Sequence, residues 1–170
     1  MAASTLITDY IGYGTHAARP ASPTLPSGGM GLYLESDTGC LFIWNGSIWV
    51  AATPSLVAAL SLTAQTASIG VTNLYLSPPV GLYRVTGAIQ LTTAGTSGTV
   101  SASITSPDIN RNAQTDTLIS AVTFGSLNNR GSGQTQFWAT PGAAIQYSTT
   151  VASAVGSPVY AAEFSVEKIG

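Results

Sequence analysis

Charge is the commodity this sequence most lacks. Its 170 residues include five Lys or Arg and seven Asp or Glu, 7% of the chain, against roughly a quarter in an average soluble protein. The formal net charge is −2 and the isoelectric point is near 5.0. No basic stripe is available for a phosphate backbone, which argues against nucleic acid as a partner. The lone cysteine, Cys40, rules out an internal disulfide and any cysteine-cluster metal site. No apolar run approaches the roughly 18 to 20 residues of a spanning helix, so no membrane partner is expected. The first ten residues lack a positive n-region and a continuous apolar h-region, so no secretory signal is expected and folding in a cytoplasm is. What is present is apolar and hydroxylated. Hydrophobic residues supply 45% of the chain and Ser with Thr about a quarter, with a mean hydropathy of +0.30. Such a composition excludes disorder and points to a neutral, β-prone globule.

Four segments separate by composition. Residues 1–29 are rich in Gly and in Pro20, Pro23 and Pro26, which break helices and predict an extended N-terminal arm. Leu6, Ile7, Tyr10, Ile11 and Tyr13 give that arm apolar groups with which to dock. Residues 30–53 read as a three-stranded hairpin unit: 31–35, 40–44 and 47–51, with Asn45-Gly46 as a type I′ turn. Phe42, Trp44 and Trp49 are its candidate core, or its contact with a partner chain. Residues 54–63 open on Pro54 and place Leu56, Ala59 and Leu60 at helical spacing, predicting a short connecting helix. Residues 64–170 hold eight candidate strands, at 65–69, 71–76, 82–92, 98–105, 116–124, 134–138, 143–151 and 158–168. Tyr83, Val85, Ile89 and Leu91 alternate with polar residues, as do Val100, Ala102 and Ile104, and Tyr160, Ala162, Phe164 and Val166. One wet and one dry face per strand predicts an all-β protein whose main body is an antiparallel, jelly-roll-like β-sandwich.

Catalytic chemistry is poorly supplied. The sole histidine, His16, falls in the arm, where no nucleophile is expected within reach. Asp108 and Asp116 are the best carboxylate pair for glycoside hydrolysis, but each has a plainer reading as a turn residue and a strand opener. Asp108 and Asn110 supply two oxygens where calcium takes six to eight. Cys40 sits among apolar neighbours as a small core residue. The expectation is a non-enzyme with no metal and no cofactor.

Two pieces of the chain carry a resemblance. Residues 31–51 (GLYLESDTGCLFIWNGSIWVA) resemble a small Trp-hairpin module of tailed-bacteriophage virion proteins. Residues 81–169, with GLYRV, GTSGTV, QYSTT and the closing strand at Tyr160–Ile169, are similar to a β-sandwich domain of phage fibre and capsid-decoration proteins. The resemblance implies a virion structural protein that assembles as a homotrimer. Within it, an arm, a hairpin module and one sandwich without a shaft suggest a decoration, or cement, protein. Such a protein would bind the major capsid protein on the outer surface of an assembled head through Leu6, Ile7, Tyr10, Ile11 and Tyr13. The alternative is a receptor-binding module at a fibre tip. There, loops around Asp108, Asn110 and Arg111 and around Asn128, Asn129 and Arg130 would meet a host surface glycan at one end of the sandwich, and Trp138 could stack on a sugar.

Overall fold

The computed structural model describes residues 10–25, 31–37, 40–52, 54–108 and 112–169. The chain divides into two compact units, the first ending at Ser55 and the second covering Leu56–Ile169.

The first unit is one small sheet. Strands β1 (Tyr10–Gly14), β2 (Gly31–Glu35), β3 (Leu41–Trp44) and β4 (Trp49–Ala51) lie side by side in that order. β1 runs parallel to β2, with Tyr13 beside Leu34, and the other pairs are antiparallel. The expectation of an extended arm is therefore corrected at Tyr10–Gly14. A single 3-10 turn at His16–Ala18 follows the strand. The hairpin is also corrected in detail. Only Gly46 has a positive φ, at 98°, so the central pair is Gly46-Ser47 in the manner of a type II′ turn. Asn45 instead braces the loop, its Oδ1 accepting from the Ser47 and Ile48 amides.

The second unit has eight strands. They are β5 (Ser55–Gln65), β6 (Ile69–Tyr75), β7 (Gly81–Thr93), β8 (Ser97–Asp108), β9 (Asn112–Thr123), β10 (Arg130–Ala139), β11 (Ile145–Val155) and β12 (Val159–Lys168). One leaf runs β5–β12–β7–β10 and the other β6–β11–β8–β9, joined at a corner by the single pair Ala139–Asp108. First strand lies beside last, second beside second-last, and so on inward to the β8–β9 hairpin. This nesting is the jelly roll. The alternating apolar residues of β7, β8 and β12 line the inside, joined by Ile119, Phe124, Phe137, Ile145 and Tyr147 in one continuous core. Each such side chain contributes about 1.5–3 kcal/mol by leaving water.

The predicted helix over 54–63 does not form. That segment is β5, and it supplies the strand expected at 65–69, which is instead mostly the turn into β6. Ala58, Leu60 and Leu62 pack on the core at period two, so a place beside β12 overrides the helix propensity of Ala and Leu.

Candidate functional site

The small sheet has two unlike faces. On one, Tyr33, Phe42, Trp44 and Trp49 gather, with Trp44 and Trp49 edge to face at 5.5 Å between ring centroids and Tyr33 6.0 Å from Trp49. The chain from Thr15 to Pro20 covers this face. Trp49 Nε1 donates to the Pro20 carbonyl at 2.7 Å, Tyr33 donates to the Thr15 carbonyl, and the Arg19 guanidinium lies 3.9 Å above the Phe42 ring. Glu35, 1% exposed, is the polar centre of the unit. Its Oε1 is 2.9 Å from Arg19 Nη1 and 2.8 Å from His16 Nδ1. The Asp37 carboxylate accepts from the His16 backbone amide. His16 is thus tied to the sheet through Glu35 and Asp37 while its side chain stays 63% exposed.

The other face of this sheet is apolar and open. Strand register puts Tyr13, Leu34 and Leu41 in one row and Leu32, Ile43 and Val50 in the next. Tyr13 is 74% exposed, and Leu34, Ile43 and Val50 are also exposed. None of these side chains is charged. Of the five residues assigned to docking, Tyr13 belongs to this face. Tyr10 and Ile11 are described only as strand backbone, and Leu6 and Ile7 lie outside the described residues.

The two loop groups proposed for a glycan are not neighbours. β9 runs from Asn112, opposite Asp108, to Thr123, opposite Thr99, so Asp108 and the loop at Asn128–Arg130 sit at opposite ends of the sandwich. Asp108 is buried at the corner where β8 meets β10. Asn110 and Arg111 lie outside the described residues. Asn129 holds its own loop, its Nδ2 donating to the Thr123 carbonyl and hydroxyl. Asn128 turns the chain with a positive φ of 64°. Arg130 opens β10 opposite Gln90 and is exposed.

What the sequence did not place is the outward face of the β5–β12–β7–β10 leaf. A trough of about 530 Å³ runs across it, over Ala59, Ser61, Thr86, Ala88, Glu163 and Ser165. Beside the trough stand Gln134, opposite Thr86, and Gln136, opposite Arg84. Arg84 Nε donates to Glu167 Oε2 at 2.8 Å across the β7–β12 pair, and Thr86 and Ser165 share a hydrogen bond at 2.6 Å. Trp138 closes the row on β10, 45% exposed. Its signal in the sequence was one aromatic at an outward position of an alternating strand. Among the described residues no group of three His, Cys, Asp or Glu could hold a metal.

No protein-family model matches the sequence, and no curated protein matches it. Solved structures with some likeness are carbohydrate-binding modules. The CBM22-1 xylan-binding domain of Paenibacillus barcinonensis Xyn10C is 12% identical, over 71% of this chain and 98% of that one, with a TM-score of 0.39. The CBM22-1–GH10 modules of Clostridium thermocellum xylanase 10B are 14% identical, over 81% of this chain and 23% of that one, at 0.36. A family 16 carbohydrate-binding module is 16% identical, over 69% and 83%, at 0.28. At these scores the likenesses add nothing to an account of function.

Proposed function

We propose that the protein is a decoration subunit of a phage head, acting as a homotrimer and docking on the coat lattice through the small sheet. The observation that carries this reading is the open face of Tyr13, Leu34, Ile43 and Val50, apolar and uncharged. Exposed apolar patches on soluble units mark contact sites, and each large side chain covered by a partner adds useful adhesion. The unit turns Tyr33, Phe42, Trp44 and Trp49 inward, on the face covered by Thr15–Pro20, and leaves an aliphatic surface flanked by Tyr13 for the coat. The low charge of the whole chain leaves few like charges to separate when identical copies meet. The consequence for the particle is linkage: a ligand that binds only the assembled lattice stabilises that lattice.

Co-sedimentation with heads lacking the protein tests the reading. The double substitution Leu34→Asp and Ile43→Asp alters exposed positions and is expected to weaken head binding at least tenfold. Undiminished binding by the double variant overturns the docking surface. A copy number near one chain per coat subunit in purified particles supports lattice-wide decoration, and a few copies per hundred moves the protein to a fibre.

A further inference from the structure

We propose that the outward face of the β5–β12–β7–β10 leaf binds an uncharged glycan, with Trp138 as its stacking platform. The face is ~14 Å wide, three inter-strand spacings, and ~20 Å long from Ser132 to Trp138, enough to seat a chain of several sugars. A pyranose offers two kinds of surface: a C–H face that packs on aromatic or small apolar groups, and a rim of hydroxyls that both donate and accept. Both complements are present. The trough floor is Ala59 and Ala88 among the hydroxyls of Ser61, Thr86 and Ser165, and Trp138 presents an exposed ring at one end. Gln134 and Gln136 project from the same side of β10 as Trp138, each amide offering two donors and one acceptor.

Charge selects the class of ligand. Arg84 and Glu167 neutralise one another, and the remaining charges of the face, Arg130 and Glu163, are one of each sign. A phosphate, sulfate or uronate chain would meet no basic cluster and would face the Glu163 carboxylate in the trough, whereas a neutral polyol can donate its hydroxyls to that carboxylate. The ion pair also fixes both side chains in place, so the Arg84 donors not directed at Glu167 are ordered before a ligand arrives. A protein partner fits less well. The exposed large hydrophobic side chains on the four strands are Trp138 and, at the start of β5, Leu56, on strands at opposite edges of the leaf, whereas protein interfaces centre on a cluster of such anchors.

The full chain is applied to a printed array of neutral and acidic oligosaccharides, and the strongest neutral binder is then titrated calorimetrically. Retention of neutral glycans is expected. Trp138→Ala should weaken the titrated glycan at least tenfold, with Trp138→Phe recovering part of the loss, and Gln136→Ala should weaken it several-fold. Binding only to acidic glycans, binding to none, or affinity unchanged by Trp138→Ala overturns the proposal. So does an oligomer in which Trp138 is shielded between copies from a fluorescence quencher. Head co-sedimentation of the Trp138→Ala chain should stay at the wild-type level, which keeps a failure here distinct from a failure of the docking reading.

Discussion

The two units hold themselves together by different means. The jelly roll closes two leaves over a core of aliphatic and aromatic side chains and buries few polar groups. Thr149 and Tyr160, for example, share a hydrogen bond at 2.7 Å inside the sandwich. Among the described residues the small sheet has no second leaf. It covers one face with an irregular strip of its own chain, and that strip cannot contribute a row of apolar side chains. Specific contacts replace them: a buried carboxylate between Arg19 and His16, an indole donating to a carbonyl, and a guanidinium over a ring. One unit is therefore sensitive to volume and the other to the removal of individual polar partners.

The largest expected effect probes volume. Gly133 lies where β10 crosses closest to β9, and a Cβ there would stand 1.7 Å from the Leu118 carbonyl oxygen. That oxygen belongs to backbone and cannot step aside as a side chain would. Gly133→Ala is expected to destabilise the unit by about 3 kcal/mol or more, at the upper end of overpacking, in a urea melt of the full chain. Gly70 on β6 has nothing within 4 Å of such a Cβ, so Gly70→Ala should lie within about 0.5 kcal/mol of wild type. Equal effects at the two sites would break the volume half of the comparison.

The next effect probes polar tethering. Glu35→Ala leaves Arg19, 18% exposed in its side chain, beside a cavity without its carboxylate. Breaking a buried pair costs about 3–5 kcal/mol, but the His16 side chain is 63% exposed, and about 2 kcal/mol is expected. Amide hydrogen exchange in β2, β3 and β4 should accelerate accordingly. If those amides keep their protection, the small sheet is held by its aromatics alone.

The smallest effect appears only in alkali. Burial, with Tyr75 beside it, pushes the Tyr83 hydroxyl from 10.0 up to about 12. The folded pKa lies above the unfolded one, so the contribution is complete below pH 10 and is lost as pH rises from there towards 12. Burial raises Tyr160 as well, in the same sense. Tyr83→Phe should flatten part of the fall in stability over that window. It should also cost about 1 kcal/mol at neutral pH, through the lost bond to the Pro79 carbonyl. An unchanged alkaline slope would remove Tyr83 from the account.

The same contrast explains what could be read in the sequence. β7, β8 and β12 were legible because each has one wet face and one dry face, so their alternation survives in a single strand. β5 was not. Leu56, Ala59 and Leu60 meet a helical spacing while Ala58, Leu60 and Leu62 meet a strand spacing, and only the neighbouring β12 decides between them. β1 was hidden because its partner lies about twenty residues ahead, across Gly and Pro residues that read locally as a break. The buried state of Glu35 was hidden for the same reason, its partners being residues of that bent strip. The outward trough draws on β5, β12 and β7, which lie far apart in the chain, and no local pattern brings them together.

The nesting of the jelly roll also sets the order in which it can be made. β5 leaves the ribosome first and β12 last, yet the two are neighbours in the finished leaf, and β7 lacks its partner on that side until β12 arrives. A nascent chain halted before Val159 therefore carries unpaired edges along both β5 and β7. Long-range pairings of this kind fold slowly and leave sticky edges exposed meanwhile. The ten-residue strand β12 is the clasp, and a cell translating this message holds an open sheet until it is made.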